Sequence, residues 1–109
     1  MPEPTRRLEV EDQGDVTVVK FVDPRITDEQ VIKAIGDQLF QLIDLGRHKQ
    51  RLDFASVEIV ASAMLGKLLS LHKKLKAVNG ELVLCNLNED LMDALETSRL
   101  VDFFQIDRG

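Results

Sequence analysis

The order of periodicities along this chain limits its fold more than any other feature. Beyond Asp23-Pro24, apolar runs of strand length alternate with stretches whose apolar residues recur at helical spacing. The first helical stretch opens near Thr27 and carries Val31, Ile35, Leu39, Leu42 and Ile43; steps of three and four residues keep them on one face. Gln50-Arg51-Leu52-Asp53-Phe54 then reads as a strand, residues 62–78 as a second helix, Glu81-Leu82-Val83-Leu84-Cys85 as a strand and residues 89–97 as a third helix. Leu100, Val101, Phe103, Phe104 and Ile106 close the chain as a short turn or strand. A strand that returns to its sheet through a helix must cross over, so these strands pair in parallel. Upstream, Leu8-Glu9-Val10-Glu11-Asp12 alternates and residues 16–22 are rich in β-branched side chains, with Gln13-Gly14-Asp15 as a turn between them. That is the pattern of an antiparallel hairpin. The expected fold class is therefore α/β: one domain with a mixed, mostly parallel β-sheet, an N-terminal hairpin and covering helices.

Local signals set the expected boundaries. Asp23-Pro24-Arg25 breaks the second strand. Thr27 is expected to cap the first helix, with Gln30 completing a capping box, and Gly46 to end it. Gly36 costs that helix about 1 kcal/mol relative to Ala, which points to close packing there. Asn79-Gly80 is expected to close the second helix. Asn88 is expected to cap the third, with Glu89 and Asp90 in its first turn. A chain of 109 residues predicts a single domain, residues 8–109, after a flexible polar lead-in of residues 1–7 with two prolines.

Composition removes several function classes. A net charge of −5 with no concentrated Lys/Arg patch disfavours nucleic acid as a partner. One cysteine, Cys85, excludes an internal disulfide and reads as a small buried apolar residue. No apolar run is long enough for membrane insertion and no signal core opens the chain, so the expected location is the cytoplasm. His48 and His72 are separated and show no metal-site spacing, and neither has a visible nucleophile to serve. His48 is expected to be exposed and His72 packed on an apolar face. No cofactor and no enzymatic activity are expected.

The second helix carries the functional signal. At 100° per residue, Met64, Leu65, Leu68, Leu71, His72, Leu75 and Val78 share one face, and Ser62, Ala63, Gly66, Lys67, Ser70, Lys73 and Lys74 share the other. The outer face has almost no bulk near its start, which lets another protein approach closely; good helix formers on a solvated surface give the same pattern. Ser62 stands where the helix begins. A phosphate there meets unpaired backbone N–H groups and the positive end of the helix dipole, while its charge of roughly −1.5 to −2 opposes a docked partner. A plain helix cap is the other reading of that serine.

The residues from Leu52 to Gly66, with Leu71-His72-Lys73-Lys74-Leu75-Lys76-Ala77 and Asn79-Gly80-Glu81-Leu82-Val83-Leu84-Cys85, resemble the STAS domain of anti-sigma factor antagonists. The resemblance runs from about Leu8 to Ile106 and implies the same element order. It further implies partner switching: the unphosphorylated antagonist binds an anti-sigma factor that is also a serine kinase of the histidine-kinase-like ATPase class. Phosphorylation of the serine opening the second helix, here Ser62, releases the kinase, and a serine phosphatase resets the system. The family commonly has Asp-Ser-Ser-Gly-Leu-Gly where this chain has Ala61-Ser62-Ala63-Met64-Leu65-Gly66. Ser62, Leu65 and Gly66 are kept; the Asp, the second Ser and the first Gly are replaced. Asp53 matches another family Asp near the switch. The partner-binding set expected on this reading is Asp53, Ser62, Ala63, Gly66, Lys67, Ser70, Lys73, Asn86 and Asn88. The altered motif also suits a second reading, a STAS-only scaffold or transporter-associated subunit (lipid or anion) in which Ser62 stays unmodified.

Overall fold

A computed structural model describes residues 8–107. The expected lead-in, residues 1–7, lies outside the described residues. The chain forms β1 (Leu8–Gln13), β2 (Val16–Phe21), β3 (Arg25–Ile26), α1 (Glu29–Asp44), β4 (Lys49–Asp53), β5 (Ile59–Val60), α2 (Ser62–Ala77), β6 (Glu81–Cys85), α3 (Glu89–Thr97) and β7 (Gln105–Asp107). The main sheet runs β1-β2-β4-β6-β7. The hairpin is antiparallel, with Leu8 opposite Phe21 and Gln13 opposite Val16, and its turn places Gly14 at φ 71°. All later pairs in this sheet are parallel.

The topology fixes where the helices lie. Each crossover, β2-α1-β4, β4-α2-β6 and β6-α3-β7, steps the same way across the sheet. Right-handed crossovers in one direction put every helix on the same face. Side-chain alternation agrees: Val19, Phe21, Leu52, Leu82 and Leu84 join the single core with Ile32, Ile35, Leu39 and Ile43 of α1, Met64, Leu68, Leu71 and Leu75 of α2, and Leu91 and Leu95 of α3. The opposite sheet face carries Lys49, Arg51, Val83 and Gln105. Arg51 and Asp107 form an ion pair there. Cys85 is buried on this face, outside the core cluster, and donates from Sγ to the Leu52 carbonyl at 3.5 Å. Burial pushes its thiol pKa up, with the nearby Arg51 charge partly offsetting the shift.

Several boundaries differ from expectation for identifiable reasons. The cap of α1 is Asp28, not Thr27: its carboxylate accepts the Gln30 and Val31 N–H groups at 2.8 and 3.2 Å. Gln30 is therefore the second helical residue, too early to complete a box. The buried face of α1 is correspondingly centred on Ile32, with Val31 and Leu42 half-buried beside it. Val78, expected in the core, terminates α2 and is 39% exposed. His48 is half-buried rather than exposed, and its carbonyl accepts the Glu81 N–H at 2.8 Å. The two-residue strands β3 and β5 pair in parallel as a separate ribbon that the sequence reading did not contain.

The helix ends share one device. After α1, Gly46 N–H bonds the Ile43 carbonyl and Arg47 N–H the Leu42 carbonyl. The same pair of hydrogen bonds follows α2 through Asn79 and Gly80, and follows α3 through Arg99 and Leu100. Each requires a left-handed residue, supplied by Gly46 (φ 89°), Asn79 (φ 60°) and Arg99 (φ 62°). Gly80 is fixed by space: a Cβ there would stand 2.3 Å from the His48 carbonyl oxygen, where the chain enters β6.

Candidate functional site

The approach to α2 is held from three sides. On leaving β4, the Asp53 carboxylate accepts the Ala55 N–H at 2.9 Å, an Asx-type turn, and the Asn86 side-chain amide at 2.8 Å. Asn86 follows β6 with φ 59°, a conformation asparagine tolerates. Val57 N–H closes on the Phe54 carbonyl at 2.9 Å, leaving Ala55 and Ser56 exposed at the tip. Phe54 and Val57 point inward, and the Phe54 ring meets Phe21 with centroids 4.7 Å apart. The Pro24 carbonyl accepts N–H groups from both Glu58 and Ile59, and Ala61 N–H donates to Ile26 at 2.9 Å. Asn88 donates its side-chain amide to the Val57 and Glu58 carbonyls while its Oδ1 caps α3 through the Leu91 N–H at 2.8 Å. Asp53, Asn86 and Asn88 thus brace the loop that presents α2.

Ser62 is the first residue of α2, and the cap position is Ala61, with φ −79° and ψ 159° but no side-chain oxygen. Ser62 is exposed, and its hydroxyl makes no hydrogen bond among the described residues. The serine is therefore not the cap of this helix. The first N–H groups of α2 are left without a side-chain acceptor, at the positive end of the dipole. From Ser62 an exposed stripe runs through Ala63, Gly66, Ser70 and Lys73. A Cβ built on Gly66 would have no atom within 4 Å. Nothing inside the domain needs a glycine at that point, although glycine weakens a helix.

Lys67 leaves this stripe. It is half-buried, its Cδ lies 2.9 Å from where a Gly36 Cβ would stand, and its ammonium lies 5.8 Å from the Phe40 ring centroid. The Lys74 ammonium approaches the same ring at 5.2 Å. The close packing anticipated at Gly36 is thus made by a lysine stem in the α1–α2 seam, the apolar use of a long charged side chain. Sequence reasoning passed over Ile59, which is 49% exposed and lies in register with exposed Arg25 just ahead of Ser62. The signal was an apolar residue in a segment too short to show alternation. His72 packs edge-on to Phe104 with centroids 5.7 Å apart; burial, then the nearby Lys76 charge, lowers its pKa. Among the described residues no group of three His, Cys, Asp or Glu side chains is placed to hold a metal ion. No described helix is long and apolar enough to cross a membrane.

The STAS domain family model matches residues 7–108, nearly the whole chain. The chain belongs to the STAS domain family. The chain is 32% identical over 69 residues to BtrV of Bordetella bronchiseptica, described as an anti-sigma factor antagonist. That match spans 63% of this chain and 60% of BtrV. Among solved structures, the STAS fold here superposes on TM1081 of Thermotoga maritima, described as an anti-sigma factor antagonist, with a TM-score of 0.83 at 18% identity, covering 94% of this chain and 86% of that one. The phosphorylated form of SpoIIAA from Bacillus gives a TM-score of 0.70 at 16% identity, over 93% and 91% of the two chains. At these identities the likeness is one of fold.

Proposed function

We propose that this STAS domain is an anti-sigma factor antagonist. It binds an anti-sigma serine kinase across the start of α2 and lets go when that kinase phosphorylates Ser62. The observation that carries the reading is the uncapped start of α2: an exposed serine with a free hydroxyl, ahead of an exposed Ala63 and Gly66. A partner backbone can approach this bare surface closely. The hydroxyl stands clear for transfer, and the resulting phosphate has unpaired N–H groups beside it. Phosphorylation then alters docking and leaves the fold intact. Ser62, Ala63, Gly66, Ser70 and Lys73 form the contact surface, Ile59 extends it, and Asp53, Asn86 and Asn88 hold its loop. The relatives described as anti-sigma factor antagonists support this class of partner.

The test is capture from native extract with two baits, wild type and Ser62→Asp, with retained proteins identified by mass spectrometry. The reading predicts an ATPase of the kinase class retained by wild type and lost with Ser62→Asp. Equal recovery with both baits, or recovery of transporter subunits alone, would instead favour a scaffold with an unmodified Ser62.

A further inference from the structure

β1 is the outermost strand of the main sheet, so one of its edges has no neighbouring strand. The docking proposed at α2 makes no use of it. Gln13 and Val16 close the two-residue turn of the hairpin, and the closing pair of such a turn is a hydrogen-bonded pair. Bonded pairs alternate along an antiparallel ladder. The main-chain groups of Glu9, Glu11 and Gln13 therefore turn toward β2, and those of Leu8, Val10 and Asp12 turn outward. Leu8 is buried and the other five residues of the strand are exposed. Val10 shares the helix side of the sheet with Leu8 and is 48% exposed. Glu9 and Glu11, on the other side, form no ion pair among the described residues. Directly ahead of this acidic strand the sequence has Arg6-Arg7. An edge with outward main-chain groups and an uncovered valine is a template for another strand.

We infer that this edge binds the β1 of a second copy, antiparallel about a two-fold axis that passes through Glu9. An axis perpendicular to the sheet keeps facing residues on the same side, so odd positions meet odd and even meet even. With the axis at Glu9, Leu8 of each copy faces Val10 of the other. That pairing covers the exposed valine and joins outward N–H groups to outward carbonyls. Arg7 of each copy faces Glu11 of the other, a base opposite an acid that has no ion pair of its own. Arg6 likewise faces Asp12, which also pairs with Arg47 at 2.9 Å. The two Glu9 side chains meet on the axis, and each has Lys20 opposite it in its own hairpin. The neighbouring registers are worse. An axis at Val10 sets Glu9 against Glu11 twice, and an axis at Leu8 leaves Glu11 without a base. The chosen register makes one continuous sheet through both copies, with all helices on the same side.

The experiment is sedimentation velocity of the full chain at low salt over a concentration series. One strand pair is a small interface, so a weak dimer is expected, with a dissociation constant on the order of 100 μM. The series therefore runs from about a tenth of that value to about ten times it. Val10→Pro should hold the chain monomeric, because proline removes an outward donor yet is tolerated on an edge strand. Glu11→Arg alone and Arg7→Glu alone should each weaken the dimer at least about fivefold, since each sets like charges opposite one another twice. An equimolar mixture of these two variants should dimerise like wild type. In the mixed pair the remaining Arg7 faces the remaining Glu11, and the two introduced charges face each other. An unchanged amide fingerprint will show that the variants fold. A chain that stays monomeric throughout the series, or a Val10→Pro chain that dimerises like wild type, would overturn the inference. So would single charge variants that dimerise undiminished, or a mixture no more associated than its components.

Discussion

Gly66→Ala separates what the fold wants from what the proposed partner wants. Gly66 lies in the first half of α2, is exposed, and has helical geometry with nothing within 4 Å of an added Cβ. Replacing an unneeded helical glycine by alanine is worth about 1 kcal/mol, mostly by narrowing the unfolded ensemble. Unfolding entropy of about 2.1 cal/mol/K per residue gives a chain of this size roughly 0.2 kcal/mol/K, so Tm should rise by about 4–5 °C. Thermal and denaturant melts followed by circular dichroism read this directly. If a partner lies close against the stripe, the same methyl intrudes at a packed contact and costs roughly 1–3 kcal/mol, a loss of about five- to 150-fold in affinity. The predicted variant is therefore more stable and weaker in binding. A melt that does not rise refutes the reasoning about space around Gly66. A rise with undiminished capture of the partner refutes the assignment of Gly66 to the docking surface.

Ala61→Asp should place a carboxylate at a cap position already in cap conformation and stabilise the domain by about 1 kcal/mol; the gain should shrink in the Ser62-phosphorylated protein, where phosphate competes for the same N–H groups, as melts of the four forms will show. Gly80→Ala should cost at least about 2 kcal/mol in urea melts, because its Cβ meets the His48 backbone rather than a movable side chain. Arg99→Gly should add about 0.5–1 kcal/mol by removing a left-handed arginine from the end of α3. His72 has a pKa lowered in the fold from 6.5. The unfolded chain thus takes up the proton first; stability is full above pH 6.5 and falls as pH drops below it. His72→Gln should flatten that part of the stability–pH curve, measured by denaturant melts from pH 8 to 5.

The parts of the fold that came from local chemistry were legible in the sequence. The hairpin, the residues bounding α3, the start of α2 and the strand of Glu81–Cys85 follow from turn residues, caps and periodicity over runs long enough to repeat. The choice between Thr27 and Asp28 was not, because two adjacent residues are both good caps and only the entry angle of the chain decides. The β3–β5 ribbon was not legible either. Two residues show no period, and its bonds join segments more than thirty residues apart. The same distance hid the Asn86–Asp53 bond, which ties two expected contact residues to each other across the loop ahead of α2. Lys67 was placed by helical angle on the outer face. Gly36 of a neighbouring helix opened a groove for its stem, and angle alone carries no information about the neighbour.

The central claim is that Ser62 phosphorylation switches docking without disturbing the fold. Its most direct test is the affinity of the captured kinase, measured by calorimetry, for the unmodified chain, the Ser62-phosphorylated chain and Ser62→Ala. The account predicts that Ser62→Ala binds like the unmodified chain. It predicts that the phosphorylated chain binds more than about a hundredfold more weakly, a difference of roughly 3 kcal/mol, while melting at the same temperature or higher. Equal affinity of the phosphorylated and unmodified chains, or a loss of affinity matched by a loss of fold, would contradict it.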